Sequence, residues 1–300
     1  MRKYVVLTDT CCDLDKDIRE KYDIKYVCMR YVVDGVDYEG DIDWQRISAH
    51  EFFDLMRAGK RITTAQVPQY VYEEFFRSAV KDGYDVLYIG CSSALSAGIK
   101  SSRIVSEEVL KDYPEAKIIC IDSLRSCHAL GLLTITAAEN RNAGMSIEEN
   151  AKWIEENKHT INMEATVDSL VYLKRAGRVS AVSAFFGEIL SIKPVIIADA
   201  IGQNFAIEKT RGRKASLKRI AKRVAESFVE VPHQKVFISH ADCIEDAEYL
   251  RELVKAELNK DIEITIGYVG SCIGASVGPG MVGVFFYGKE VTVNKGLERE

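Results

Sequence analysis

Four short segments of this 300-residue chain hold more hydroxyls, amides and glycines than packing needs. They are Thr8-Asp9-Thr10-Cys11-Cys12-Asp13, Thr63-Thr64-Ala65-Gln66-Val67-Pro68, Gly90-Cys91-Ser92-Ser93-Ala94-Leu95-Ser96-Ala97-Gly98 and Gly274-Ala275-Ser276-Val277-Gly278-Pro279-Gly280. The third follows an apolar run and opens a helical pattern. Ser92 and Ser93 there precede backbone N–H groups that a helix leaves free. Such an N-terminus, with hydroxyls beside it, suits a carboxylate or a phosphate. A serine that merely caps the helix satisfies the same pattern. The glycines of the fourth segment are either turn residues or the mark of a close backbone approach.

A second group is basic. Arg175 and Arg178 lie at the end of the stretch Asp168–Ser180, around Gly177. Lysines and arginines suit a helix C-terminus and glycine its cap. The alternative is a basic edge, extended by Arg211, that faces an acidic partner or a phosphate. A triad of Ser93, His240 and Asp9 can also be drawn, but no Gly-x-Ser-x-Gly elbow frames Ser93. Walker and dinucleotide fingerprints are absent as well.

These segments need a scaffold. Tyr4–Leu7, Val86–Ile89 and Ile118–Ile121 read as buried parallel strands. Helical stretches at Gln69–Lys81, Ala94–Leu110, Leu130–Asn142 and Ile147–Asn157 alternate with them. The pattern predicts an α/β fold of two domains, residues 1–160 and 161–300. The first is a mostly parallel sheet with flanking helices. The second is mixed, with strands at Thr166–Val167, Lys193–Ile197, Phe205–Thr210, Lys235–Ser239, Ile262–Val269 and Val282–Tyr287. Helices near Lys214–Phe228 and Ile244–Leu258 separate some of these, and an antiparallel pair turns around Asp199–Gly202. In an open parallel sheet, ligands sit beyond the carboxyl ends of the strands, where the third segment falls.

Composition narrows the function. Hydrophobic residues make up 47% and charged residues 28%, a globular balance. A net charge of -5 argues against non-specific nucleic-acid binding. No apolar run is long enough to span a bilayer, and the start lacks a signal-peptide pattern, so a cytoplasmic protein is expected. The eight cysteines and five histidines show no metal-ligand spacing, so free thiols and no metal are expected.

Taken together, the segments resemble the DegV family of bacterial fatty-acid-binding proteins. The likeness runs from first strand to last. Its anchors are Leu7-Thr8-Asp9-Thr10, Thr64-Ala65-Gln66, Ile89 to Ser96, Asp122-Ser123, Thr166 to Leu170, Leu173 to Ser180, Ile192-Lys193-Pro194 and Gly278-Pro279-Gly280. The resemblance implies one long-chain fatty acid buried between two domains and no other cofactor. It implies a carboxylate held by Thr64 and Ser93, with Ser92 beside them and with Ser276 and Gly274 at the same site. It also implies a separate ATP-binding kinase subunit that turns the carboxylate into an acyl phosphate, so the chain itself is not expected to be an enzyme. The sequence departs from the family pattern at Ala65, Val67, Ala97-Gly98 and Ser276, where Ser, Pro, Gly-Thr and His are usual. Two hydroxyls and one imidazole are thus missing near the head group. Phe185 and Phe186 are candidates for the wall of the tail channel. Two other readings stand beside the carrier: a serine hydrolase of lipid esters, and a lipid-sensing regulator using Arg175, Arg178 and Arg211. Nothing in the sequence demands more than a monomer.

Overall fold

A computed structural model describes residues 2–180 and 192–294. Its first half builds a parallel sheet from β1 (Tyr4–Asp9), β2 (Ile24–Val27), β6 (Asp85–Gly90) and β7 (Ile118–Asp122), in the order β2-β1-β6-β7. All six residues of β6 are buried, as a central strand covered on both faces requires. Around this sheet pack α1 (Lys16–Lys21), α3 (Gln69–Lys81), α4 (Gly98–Asp112), α5 (Cys127–Asn142) and α6 (Ile147–Asn157). Beside it stands a small antiparallel sheet of β3 (Arg30–Val33), β4 (Val36–Glu39) and β5 (Ile62–Ala65), preceded at β5 by α2 (Ala49–Arg57). Capping boxes start α2 at Ser48/Glu51 and α6 at Ser146/Glu149: each serine oxygen accepts an orphan N–H and each glutamate answers it.

The second sheet is mixed and has the order β13-β12-β14-β8-β10-β11-β9. Its strands are β8 (Ile161–Thr166), β9 (Val179–Ser180), β10 (Ile192–Ala198), β11 (Asn204–Arg211), β12 (Val236–His240), β13 (Ile264–Tyr268) and β14 (Val282–Tyr287). Two pairs, β12 with β13 and β11 with β9, are parallel; the others are antiparallel. Helices α8 (Arg213–Ser227) and α9 (Ile244–Leu258) cover it. The parallel sheet thus draws on residues 4–122 and the mixed sheet on 161–287.

Helix α5 joins the two. Every residue from Cys127 to Ala138 is buried. It packs on β1 and β6 on one side and on β8, β12 and β14 on the other. A helix apolar all round belongs in such an interior. Two short helices leave the mixed sheet to meet the small one. They are α7 (Leu170–Ala176), ended by Gly177 at φ +67°, and α10 (Ser271–Val277). Helix α10 packs on β3, β5, α2 and α7.

Two expected boundaries move. The helix after β6 starts at Gly98, because the chain first makes a separate turn. In that turn the N–H of Ser96 donates to the carbonyl of Ser92 at 2.9 Å, and the N–H of Ala94 to its hydroxyl oxygen at 3.2 Å. Strand β8 starts at Ile161, well before Thr166.

Candidate ligand site

The site grows out of the end of β1. Asp9 is buried and has no cation beside it among the described residues. Its carboxylate accepts the backbone N–H of Cys11 at 2.9 Å, the N–H of Cys91 at 2.8 Å and the Tyr88 hydroxyl at 3.0 Å. Burial pushes its pKa up, and these three donors pull against that push. Asp9 therefore ties the loop after β1 to the turn after β6. Tyr88 is itself held by Tyr72, oxygen to oxygen at 2.9 Å.

Above this tie lies a cavity of about 220 Å³. Its polar lining comes from Thr64, Gln66, Ser96, Ser126, Arg178, Asn204 and Ser276. Four sulfur residues, Cys11, Met29, Cys91 and Cys272, also face it. The Cys11 thiol donates to the Met29 sulfur at 3.1 Å, and the neighbouring Cys91 thiol together with burial raises the Cys11 pKa well above the ordinary thiol range. Burial raises the Cys272 pKa to about 12. These thiols are neutral, so this wall is soft, weakly polar and without a ready nucleophile. The remaining lining includes Leu95, Leu173, Ile273 and Val277. The Gln66 side-chain oxygen is buried without a hydrogen-bond partner among the described residues.

Two further hollows continue outward along α7. A cavity of about 190 Å³ shares Thr64, Arg178 and Ser276 with the first. An outer groove of about 620 Å³ shares Met56, Tyr172 and Arg175 with that second one. The glycine turn after α10 explains the fit. Gly278, at φ +75°, sits where a Cβ would come within 2.1 Å of the Tyr172 ring. Gly280, at φ +84°, approaches Asp168 in the same way. The close backbone approach suggested by Gly-Pro-Gly is thus an approach to α7 and its entry.

The expected site residues divide. Thr64 and Ser276 line the cavity together. Ser92 is buried, but its hydroxyl donates to the Gly202 carbonyl at 2.8 Å, pinning the turn to the β10–β11 hairpin. Ser93 is exposed and outside all three hollows, with its backbone N–H on Asp122 at 3.1 Å. The segment is a turn ahead of α4, and in it Cys91, Leu95, Ser96 and Ala97 line the cavity while Ser93 is exposed. Ser96, not Ser93, is the serine of this motif at the cavity. Gly274 is a packing residue, where a Cβ would meet the Phe53 ring at 2.9 Å. Arg178 reaches the cavity wall, and Arg175 lines the two outer hollows. Arg211 lies outside them; Arg213, ion-paired to Asp246 at 2.8 Å, shares the outer groove with Arg175 instead. Phe185 and Phe186 lie outside the described residues.

The triad does not assemble. Asp9 is occupied as above, and His240 takes the Cys243 N–H at 3.3 Å and packs on Tyr268. The fold does bring together Asp13, Cys127 and His128, with ligand atoms within 4.8 Å of one another, which sequence spacing could not show. Each has a partner: the Gly270 N–H donates to Asp13 Oδ1 at 2.8 Å, and Ser239 meets His128 at 2.6 Å and Cys127 at 3.2 Å, while Asp13 Oδ2 is buried without a hydrogen-bond partner among the described residues. No described helix is long and apolar enough to cross a membrane.

The model of the DegV family, described as an uncharacterised protein family, matches residues 3–289. A DegV domain-containing protein of Clostridium perfringens is 38% identical over 96% of this chain and 98% of its own. The structure of DegV, a fatty acid binding protein from Bacillus subtilis, superposes with a TM-score of 0.80 at 27% identity, covering 96% of this chain and all of that one (100%). A stearic acid-binding protein from Eubacterium ventriosum superposes at 0.84 with 25% identity, over 95% of this chain and 98% of that one. On the strength of a match that runs through both sheets and every segment of the site, the chain belongs to the DegV family.

Proposed function

We propose that the chain is a carrier that holds one long-chain fatty acid in the inner cavity, with the carboxylate at Thr64, Ser276 and Arg178. One observation carries this: Thr64, Ser276 and Arg178 all line both this cavity and the hollow beside it, and the rest of the cavity wall mixes thiols, a thioether and aliphatic groups with a few uncharged polar side chains. A carboxylate buried without partners is very costly, whereas charge-assisted bonds to Arg178, Thr64 and Ser276 offset that cost. Each methylene removed from water contributes roughly 0.8 kcal/mol, so the tail drives affinity and the mouth sets direction. The fatty-acid-binding relatives from Bacillus subtilis and Eubacterium ventriosum support the same ligand class. Ser276 stands where an imidazole is usual in the family, and Arg178 supplies the positive charge instead.

The same reading has the chain present its ligand to a separate ATP-binding kinase subunit. The run of hollows from Thr64 to the outer groove supports it, because it gives a path from the head group to the surface. Catalysis then belongs to the partner.

The test is solvent extraction of the purified protein and mass spectrometry of what comes off, for wild type, Thr64→Ala/Ser276→Ala and Ser93→Ala. The expected result is about one fatty acid per chain in wild type and Ser93→Ala, with a clear loss in the double variant. An empty wild-type protein that also takes up no added fatty acid sinks the carrier reading.

A further inference from the structure

The polar side chains of the inner cavity fall into two sets. Thr64, Arg178 and Ser276 also line the hollow beside it, so they stand at the boundary between the two spaces. Gln66, Ser96, Ser126 and Asn204 line the inner cavity and not that hollow, and none of them carries a charge. The chain running into and along β5 gives the direction: residues 60–64 line the outer hollow, and residues 64–66 line the inner cavity. At about 3.3 Å per extended residue, Gln66 lies roughly 7 Å inward of Thr64. Two groups of the inner set have hydrogen-bonding capacity to spare. The Gln66 side-chain oxygen is buried without a partner among the described residues. Ser126 precedes α5 at the position where a serine hydroxyl ordinarily accepts a helix N–H, and it makes no such bond. The Ser96 hydroxyl, by contrast, accepts the Gly98 N–H at 3.2 Å.

An unsubstituted acyl chain laid along this wall covers both groups with methylenes. A buried acceptor that loses water and gains no donor costs more than an ordinary hydrogen bond returns. The carboxylate is engaged further out, at Thr64, Ser276 and Arg178. A hydroxyl on the chain answers both inner groups at once: its hydrogen goes to the Gln66 oxygen, and its oxygen accepts from the Ser126 hydroxyl. With the Gln66 amide turned over, its N–H₂ donates and the same hydroxyl accepts, so the match does not depend on which amide atom points inward.

We propose that the inner cavity selects a hydroxylated long-chain fatty acid, with the hydroxyl in the carboxyl-terminal part of the chain and held between Gln66 and Ser126. This selection rests on the fatty-acid reading above and narrows its substrate class. A pocket that must hydrogen-bond a substrate hydroxyl discriminates against the analogue that lacks it, because its own polar groups are then left unpaired.

The experiment uses the full chain, freed of co-purified lipid. Hexadecanoate competes in equal amounts with hexadecanoates that carry one hydroxyl at the β, ε or ω carbon. Native mass spectrometry reads the bound ratio from the mass of the extra oxygen. Wild type is expected to favour the β or the ε form over hexadecanoate by about tenfold, the factor that a satisfied buried group gives over a stranded one, and to show no preference for the ω form. Gln66→Leu is expected to bring the ratio to parity by taking up more hexadecanoate, because no amide is then stranded. Ser126→Ala is expected to lower the ratio in the same direction, and it decides the point by itself where Gln66→Leu does not fold. Equal uptake of hexadecanoate and every hydroxy form by wild type, or a preference for the ω form alone, overturns the hydroxyl site and leaves the carrier reading standing. A preference for the β or ε form that survives undiminished in the folded variants also overturns it, since Gln66 and Ser126 would then not hold the hydroxyl. Wild type that takes up none of these ligands overturns the carrier reading, and the hydroxyl site falls with it.

Discussion

Two buried carboxylates in this molecule are stabilised in opposite ways. Asp9, beside the cavity between the loops that carry Cys11 and Cys91, meets no cation among the described residues; two backbone N–H groups and a tyrosine hydroxyl hold it. Glu164, on the mixed sheet, is gripped in a two-point fork by Arg223 at 2.6 and 3.0 Å, and Arg223 also reaches Glu208 at 3.0 Å. A carboxylate that binds N–H groups fixes the backbone that carries them. A carboxylate that binds an arginine fixes only the ends of two side chains. The first belongs where a cavity must keep its shape, and the second where a helix must be held to a sheet.

The largest expected effect follows. Asp9→Ala strands the two buried N–H groups of Cys11 and Cys91, each at a cost of about 1–3 kcal/mol, and leaves the Tyr88 hydroxyl with Tyr72 alone. The urea midpoint should therefore drop by an amount equivalent to several kcal/mol. Bound fatty acid should fall too, because Cys11 and Cys91 line the cavity on the two loops that Asp9 joins. A destabilised Asp9→Ala protein that keeps its lipid would show that the tie does not shape the cavity.

Glu164→Gln should be milder. It breaks the fork, but Arg223 keeps Glu208 and is partly exposed. A loss of about 1.5–3 kcal/mol is expected, the range for a hydrogen bond to a charged group. Lipid content should not change. If it falls as far as in Asp9→Ala, the contrast between the two carboxylates is wrong.

The same contrast governs what the sequence made legible. Helices α3, α6 and α9 and strand β14 fall at the boundaries their periodicity predicts, because each has one strong apolar face or a fully apolar run. Strand β8 hid its first five residues, since Asn162 and Glu164 read as loop until Lys289 and Arg223 are seen to meet them. The small sheet hid as well: its strands are four residues long, and β4 reads Val36-Asp37-Tyr38-Glu39, half charged and mostly exposed. At the cavity, Thr64 and Ser276 are hydroxyl residues of segments that their composition singles out. That Ser96 rather than Ser93 lines it depends on the turn ahead of α4, and that the exposed Arg178 touches it depends on the packing of α7. Neither is written in residue type.

The smallest effect concerns pH, and it arises from a pair whose usual charge states are reversed. Burial raises the Asp13 pKa from 3.8 to about 7 and lowers that of His128 from 6.5 to about 3. Near pH 5 the folded protein therefore holds Asp13 protonated and His128 neutral, one proton between them. The unfolded chain also holds one, on the histidine. Stability changes with pH in proportion to the protons bound unfolded minus folded, so between about pH 4 and 6.5 the pair contributes almost no slope. Each residue alone does contribute. The raised Asp13 favours the fold below pH 4 and loses that contribution as pH rises towards 7. The lowered His128 favours the fold above pH 6.5 and loses it as pH falls towards 3. Asp13→Asn should remove the first and expose the second, so its stability relative to wild type rises with pH across this window, by at most about 1.4 kcal/mol per pH unit. His128→Gln should show the opposite slope. Urea midpoints at roughly pH 4.5, 5.5 and 6.5, across the window between the two ordinary values, would check both signs. Parallel pH profiles for the two variants would mean that Asp13 and His128 do not offset each other.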